Sequence, residues 1–201
     1  VIESNPLRGV IETRRRIGKS SVLVQRHVLE SGSRVLRVEN LLDWHEDQSI
    51  LRAEFAPTIR TRRATYGTQY GFIERSTHAN TSWDEAAFEV PGHLWMDCSE
   101  PGRGLAVIDD GTRFGRSCRD GVMGLSLVRS TSFPDPGADR GRHEFAYGLM
   151  AHGGDWRGAG VDLEAEAFGT RLRSTPAPAG ASGTVRDGWS VLPDLENGLA
   201  V

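Results

Sequence analysis

The sequence has few cysteines and hardly any lysine. Cys98 and Cys118 are too few for a disulfide framework in a chain of 201 residues, and their separation matches no zinc-site pattern, so we expect two half-buried free thiols. Lys19 is the only lysine. Arginine therefore supplies almost all of the positive charge, and its planar fork also suits the recognition of carboxylates and polyols.

Two partner classes are disfavoured by what the chain lacks. No apolar run approaches the ~20 residues that a membrane-spanning helix requires, so no membrane partner is expected. The formal net charge of -3 argues against nucleic acid as a partner. The residues from Val1 to Ser4 have neither the basic nor the apolar region of a signal peptide, which predicts a cytoplasmic protein. Because the chain lacks an initiator Met and stops at Val201 without a closing element, we interpret both ends as cuts.

Alternation with a period of two dominates the sequence and predicts β-strands. It occurs at 35–39, 51–55, 68–73, 105–108, 125–128 and 145–150. The 24 glycines and 9 prolines suit many tight turns, and no stretch predicts an amphipathic helix. Strands one layer deep cannot hide their apolar face, so we predict an all-β fold, a large antiparallel β-sandwich.

Three segments are expected along the chain. Residues 1–173 form the sandwich domain. Residues 174–188 are rich in Pro, Ala, Gly and Ser, which is typical of a linker or a long loop. Residues 189–201 are interpreted as the start of a truncated following element.

The first candidate functional segment is the loop predicted from Glu74 to Asp84. Its polar side chains surround an indole, the combination that a sugar site uses for hydroxyl groups and for the apolar face of a pyranose. The candidate binding residues here are His78, Asn80, Trp83 and Asp84. The alternative, which the sequence alone favours, is a structural loop whose polar groups satisfy one another and whose Trp83 caps the core.

The second candidate is the charged loop predicted at 135–144, which contains Arg140, Arg142 and His143. Arginine and histidine at a cleft rim could donate hydrogen bonds to hydroxyl groups or to a carboxylate. The alternative is a solvated, self-paired hairpin loop, the usual meaning of such a charge cluster. The six histidines form no close ligand pair, so no metal site is expected in this chain.

Long motifs resemble glycoside hydrolase family 38 α-mannosidases of the cytosolic and bacterial branch. They are Leu42–Asp47 (LDWHED), Tyr70–Glu100 (YGFIERSTHANTSWDEAAFEVPGHLWMDCSE) and Asp139–Phe145 (DRGRHEF), which is followed by His152. The resemblance runs in order from about residue 6 to about residue 168. Motifs of this length are far more specific than a short pattern.

The resemblance implies a retaining α-mannosidase that uses zinc. In the family the catalytic carboxylates and zinc ligands belong to an N-terminal α/β-barrel, so this chain would hold no cofactor. The chain resembles the β-rich super-sandwich after the barrel, which is galactose-mutarotase-like. Its implied partners are that barrel, a C-terminal β-domain, an α-mannoside and, as an option, a second copy in a homo-oligomer. Arg129 matches a family arginine that approaches the active site.

The fragment itself is expected to be inactive. A retaining glycosidase needs two carboxyl groups about 5–5.5 Å apart, and no pair of acids in this sequence can be placed in that way. Two alternatives stay open: an independent carbohydrate-binding module and a purely structural or oligomerisation domain. The two candidate loops are expected at the same end of the sandwich, with His78, Trp83, Arg140 and His143 near the rim of the cleft. An apolar face of about 600–1,500 Å², buried in the parent protein, is also expected.

Overall fold

Thirteen strands and three short helices make up residues 1–170, the part of the chain that the computed structural model describes. The strands are β1 (Glu3–Ser4), β2 (Arg8–Ile17), β3 (Ser21–Glu30), β4 (Leu36–Trp44), β5 (Ser49–Phe55), β6 (Arg63–Thr68), β7 (Gly71–Ser76), β8 (Val90–Pro91), β9 (Trp95–Glu100), β10 (Arg103–Asp109), β11 (Gly115–Arg119), β12 (Val122–Ser130) and β13 (Gly141–His152). The helices are α1 (Ser82–Ala86), α2 (Trp156–Ala159) and α3 (Val161–Gly169). The linker expected at 174–188 and the element expected at 189–201 lie outside the described residues.

The strands form two antiparallel sheets. The larger sheet has nine strands in the order β1-β2-β3-β4-β13-β10-β9-β6-β7, and the smaller has four in the order β5-β12-β11-β8. Strand β13 lies in the middle of the large sheet and pairs with β4 from Gly141 opposite Trp44 to Leu149 opposite Leu36. The predicted all-β antiparallel sandwich is confirmed.

The main core lies between the two sheets. Alternate residues of each strand point inward, as the pleat requires. The large sheet supplies, among others, Leu42, Tyr66, Met96 and Val107, and the small sheet supplies Met123, Leu125 and Leu127. Each fully buried apolar side chain of this size stabilises the fold by about 1.5–3 kcal/mol. Cys98 and Cys118 belong to this core and are buried, not half-buried as expected.

A second apolar cluster covers the outer face of the large sheet. Helices α2 and α3 pack Trp156, Val161 and Ala165 against sheet residues that include Trp95 and Ile108. The sequence indicates no amphipathic helix, and the structure adds these two short ones. The helices escaped detection because α3 is nine residues long and buries only Val161 and Ala165, a stripe too narrow to show in the sequence. No helix within residues 1–170 is long and apolar enough to cross a membrane.

The alternation at 68–73 belongs to a hairpin and not to one strand. Strand β6 ends at Thr68, β7 begins at Gly71, and these two residues pair across a two-residue turn. Tyr70 occupies the turn with a φ of 68°, the left-handed region that residues other than glycine seldom adopt. A turn without Asn-Gly or Asp-Gly carries no strong sequence signal, so the alternation seemed to continue through it.

Candidate functional site

The two candidate segments lie at opposite ends of the sandwich, which corrects the expectation that they share one end. Strand β12 starts beside the Asp120–Gly121 turn and ends at Ser130. The Asp120 backbone N–H donates to the Thr77 carbonyl at 3.1 Å, so the segment with His78 lies at the start of β12. The second segment follows Ser130. A nine-residue strand separates these ends by roughly 26 Å.

The number of strands between the two segments explains why they lie at opposite ends and not at the same end. Between the two segments the chain crosses the sandwich five times, in β8, β9, β10, β11 and β12. Since each antiparallel crossing exchanges the ends, an odd number brings the chain to the end opposite its start. The two-residue strand β8 has no visible signal in the sequence, so the number of strand crossings could not be predicted from the sequence.

At the end that carries α1, Asp84 has a structural role. Helix α1 begins with a capping box in which the Asp84 N–H donates to Thr81 Oγ1 at 3.2 Å and the Thr81 N–H donates to Asp84 Oδ2 at 3.2 Å. The Ser76 hydroxyl also donates to Asp84 Oδ1, at 3.0 Å. Hydrogen bonds from Thr81 and Ser76 lower the pKa of Asp84 below its usual value. Its carboxylate is thus occupied in closing the loop.

The other residues of the α1 end are open to solvent. Trp83 is 86% exposed, so it does not cap the core as the structural alternative required. His78 and Asn80 are exposed too, and His78 lines a surface cleft of about 640 Å³ with Arg75 and Arg119. The Arg119 guanidinium donates to the carbonyls of Asp84 and Glu85 and so holds the C-terminal turn of α1.

At the opposite end, side-chain and backbone contacts link five polar residues that we name the Arg129 rim: Asp47, Arg129, Asp139, Arg140 and His143. The Arg140 guanidinium pairs with the Asp47 carboxylate. His143 Nε2 lies 2.7 Å from the Asp139 carbonyl oxygen, and the Arg129 backbone N–H donates to Asp139 Oδ2 at 3.4 Å. Three of the predicted residues, Arg129, Arg140 and His143, are therefore brought together.

Arg142 does not join the Arg129 rim. Strand β13 begins at Gly141, so Arg142 and His143 belong to a strand and not to the predicted loop. Neighbouring strand residues point to opposite faces, which directs Arg142 to the outer face of the large sheet. There its guanidinium pairs with Glu144 at 2.8 Å and is 68% exposed.

A cleft of about 740 Å³ lies beside the Arg129 rim. Its lining includes Arg129, Gln48 and Ser132, and the Gln48 amide donates to the Ser132 hydroxyl at 3.0 Å. Phe88 and Phe133, which also line it, are 66% and 85% exposed. Exposed ring faces beside an arginine and small polar groups are suited to the C–H faces and the hydroxyl groups of a sugar.

Glu46, a residue that sequence reasoning did not single out, fastens the turn between β2 and β3. Its Oε1 accepts hydrogen bonds from the backbone N–H groups of Lys19 (3.0 Å), Ser20 (2.9 Å) and Ser21 (3.1 Å). These bonds lower the pKa of Glu46 to about 2. The only signal available was Gly18, which opens a turn 28 positions before Glu46 and cannot indicate so distant a partner.

Comparison with known proteins decides the family. Residues 1–137 match the family described as the glycosyl hydrolases family 38 C-terminal domain. The chain belongs to this family. Its match covers more than half of the chain and includes the first two of the motifs on which the resemblance rested.

Relatives of the family 38 domain are much longer proteins. Alpha-mannosidase 2C1 of Homo sapiens is 43% identical over 176 residues, which cover 88% of this chain and 17% of that protein. Alpha-mannosidase G of Dictyostelium discoideum is 36% identical over 189 residues, 92% of this chain and 17% of that protein. The chain thus spans about a sixth of the length of these curated relatives.

Solved structures support the fold of the family 38 domain. The crystal structure of an alpha-mannosidase from Enterococcus faecalis V583 superposes with a TM-score of 0.68 at 17% identity, over 75% of this chain and 18% of that one. Within residues 1–170 of the domain, no three His, Cys, Asp or Glu side chains are grouped so as to hold a metal ion.

Proposed function

We propose that this chain is a non-catalytic β-sandwich portion of a retaining α-mannosidase, an enzyme that hydrolyses terminal α-mannosides. Membership of the family 38 C-terminal domain supports this role, as do relatives named alpha-mannosidases of which the chain covers 17%. The catalytic carboxylates and the zinc ligands would then lie in a barrel elsewhere in the same polypeptide. The proposed setting is the cytoplasm, with a C-terminal β-domain and, as an option, a second copy as further partners.

The Arg129 rim is the part of the sandwich that we assign to the sugar cleft. The observation that supports it is the placement of Arg129 and the exposed ring of Phe133 around one cleft, which Gln48 also lines directly after Asp47, the partner of Arg140. Arg129 is exposed and its guanidinium has five donors for sugar hydroxyl groups. The ion pair at Arg140 and the contact between His143 and Asp139 hold the rim in shape.

The α1 end is proposed as a second contact surface. Trp83 is 86% exposed, and a large exposed ring on a capped and fastened helix is suited to packing against another part of the polypeptide or against substrate. His78 and Asn80 lie beside it and would contribute hydrogen bonds. Asp84 would act through the shape of the loop.

The chain alone should not hydrolyse an aryl α-mannoside, with or without added zinc. Turnover that co-purifies with the chain and disappears when one of its own residues is changed would contradict the proposal. In the complete polypeptide, Arg129→Ala should lower kcat/KM roughly 10- to 100-fold, the worth of one hydrogen bond to a charged group, with little change in Tm.

The matched control for that variant is Arg142→Ala. Arg142 lies on the same part of the chain but is directed to the outer face, where it pairs with Glu144. The Arg142→Ala substitution should leave both kcat/KM and Tm unchanged. Equal losses of activity in the two variants would contradict the assignment of the Arg129 rim to the sugar cleft.

An independent carbohydrate-binding module is the second candidate, and the cleft with Phe88 and Phe133 favours it. Calorimetric titration of the chain with mannose distinguishes the two. Saturable binding that is lost in Phe133→Ala would favour the module.

A further inference from the structure

The two cysteines of the chain face each other across the core. Cys98 lies in β9 of the nine-stranded sheet and Cys118 lies in β11 of the four-stranded sheet. Their side chains are 2% and 4% exposed, and the two Sγ atoms are 3.1 Å apart. A disulfide has an S–S distance of about 2.05 Å, so the sulfurs need to approach by only about 1 Å to form a bond.

A cleft leads from the surface to this pair. Its volume is about 670 Å³, and both Cys98 and Cys118 contribute to its lining, together with Ile59, His78 and Asp120. The cleft opens at the end of the sandwich that carries α1. A small oxidant can therefore reach the sulfurs although the side chains are buried in the core.

The environment of the pair makes its two thiols unequal. The hydrogen bond from the Cys98 thiol lowers the pKa of Cys118, whereas the same bond together with burial raises the pKa of Cys98. The thiolate is the reactive form of cysteine. The lower pKa favours Cys118 as the sulfur that reacts first, and Cys98, 3.1 Å away, is placed to attack it next.

We propose that Cys98 and Cys118 are a redox-modification site at which a hydroperoxide forms a disulfide between the two sheets. The Cys118 thiolate attacks one peroxide oxygen, the O–O bond breaks, and hydroxide leaves with the proton that Cys118 lost. The Cys98 thiol then attacks the sulfenic sulfur, forming the S–S bond and breaking the S–O bond, and water leaves. Two electrons pass from the sulfurs to hydrogen peroxide, which becomes two water molecules.

The bond would change the stability of the sandwich more than its shape. It would join two sheets and close a loop of 20 residues, counted from Cys98 to Cys118. Closing a loop of this length in the unfolded chain shifts the unfolding equilibrium by about 250-fold in favour of the folded state. For a chain of this size we expect a rise in Tm of about 7–13 °C.

The test oxidises the chain with hydrogen peroxide and measures its intact mass without reductant. We expect a loss of 2 Da, two thiols that no longer react with a thiol reagent in denaturant, and a Tm increase that dithiothreitol reverses. Cys118→Ser and Cys98→Ser should show neither the mass loss nor the Tm increase. Two reactive thiols after treatment, added oxygen on one sulfur, or a covalent dimer would each overturn the proposal.

Peptide mapping of the oxidised natural chain gives a second measurement that needs no variant to fold. Trypsin cuts after Arg75, Arg103, Arg116 and Arg119, so Cys98 falls in the peptide 76–103 and Cys118 in the peptide 117–119. A linked species of these two peptides, separated by reduction, is the expected result. Their recovery as unlinked peptides would overturn the proposal whatever the variants do.

Discussion

At the scale of single residues, Glu46 shows how one carboxylate can hold a hairpin in place. Three backbone N–H groups in the turn between β2 and β3 need an acceptor, and Glu46 Oε1 supplies it from the segment after β4. The Ser21 hydroxyl donates to the same oxygen at 2.9 Å. The Trp44–His45–Glu46 stretch within one of the diagnostic motifs therefore includes a structural fastening.

This fastening should make stability depend on pH. The pKa of Glu46 is about 2 in the folded chain against an ordinary 4.5, so its carboxylate stabilises the fold above pH 4.5 and the stabilisation is lost as the pH falls towards 2. Glu46→Gln should have a lower Tm than the natural chain at pH 7, and the difference should shrink between pH 4.5 and 2. Thermal melts across this range check it, with Glu144→Gln as the control. A difference that stays constant with pH would contradict the assignment.

At the scale of elements, the turns differ in whether a side chain from another segment packs against them. Gly18 has a φ of 58°, and a Cβ added there would collide with the Glu46 carboxylate. Gly32, in the turn after β3, has a φ of 81° and open space around it. The left-handed backbone disfavours residues other than glycine at both positions. Only at Gly18 would an added side chain also collide with a neighbouring group.

Gly18→Ala should therefore destabilise the chain more than Gly32→Ala. Both variants lose about 1 kcal/mol or more from the left-handed backbone, and Gly18→Ala also displaces the Glu46 carboxylate from its three donors. Urea unfolding at pH 7 measures the two free energies of unfolding. Equal losses would mean that the carboxylate moves aside without consequence.

The strands were predictable from the sequence because one face of each is buried, and burial imposes the alternation. The turn at Tyr70 and helix α3 were not, since a single left-handed residue and a stripe of two buried side chains leave no periodic trace. The candidate site was half predictable. Residue type identified Arg140 and His143, and the family resemblance identified Arg129, whereas their separation from Trp83 depends on a count of strand crossings that the two-residue strand β8 conceals.

At the largest scale, that of the sandwich formed by residues 1–170, the unequal sheets leave part of the large sheet uncovered by the other described elements. Nine strands face four, and the inner faces of β2 and β3 extend to Ile11 and Leu29, which are 51% and 50% exposed. Leu23 on the same face of β3 is buried. The core thus ends part-way along the large sheet, and the apolar face continues beyond it.

This uncovered apolar face should make the isolated chain associate with itself or bind a hydrophobic dye. The double variant Ile11→Ser with Leu29→Ser should reduce dye binding and the apparent mass in light scattering. Leu163→Ser, which removes a 67% exposed leucine from α3, should change neither. A natural chain that stays monomeric and binds no dye would show that the uncovered face is too small to matter.

The length of β12 sets the two ends of the sandwich roughly 26 Å apart, and this distance has an energetic meaning. Sites more than about 10 Å apart with no shared partner usually act independently, so their effects add within about 0.5 kcal/mol. In the complete polypeptide, His78→Ala and Arg129→Ala should therefore show no coupling in a double-mutant cycle on kcat/KM. The sandwich would then serve as a rigid spacer that presents two separate surfaces, each free to change in evolution without a compensating change at the other.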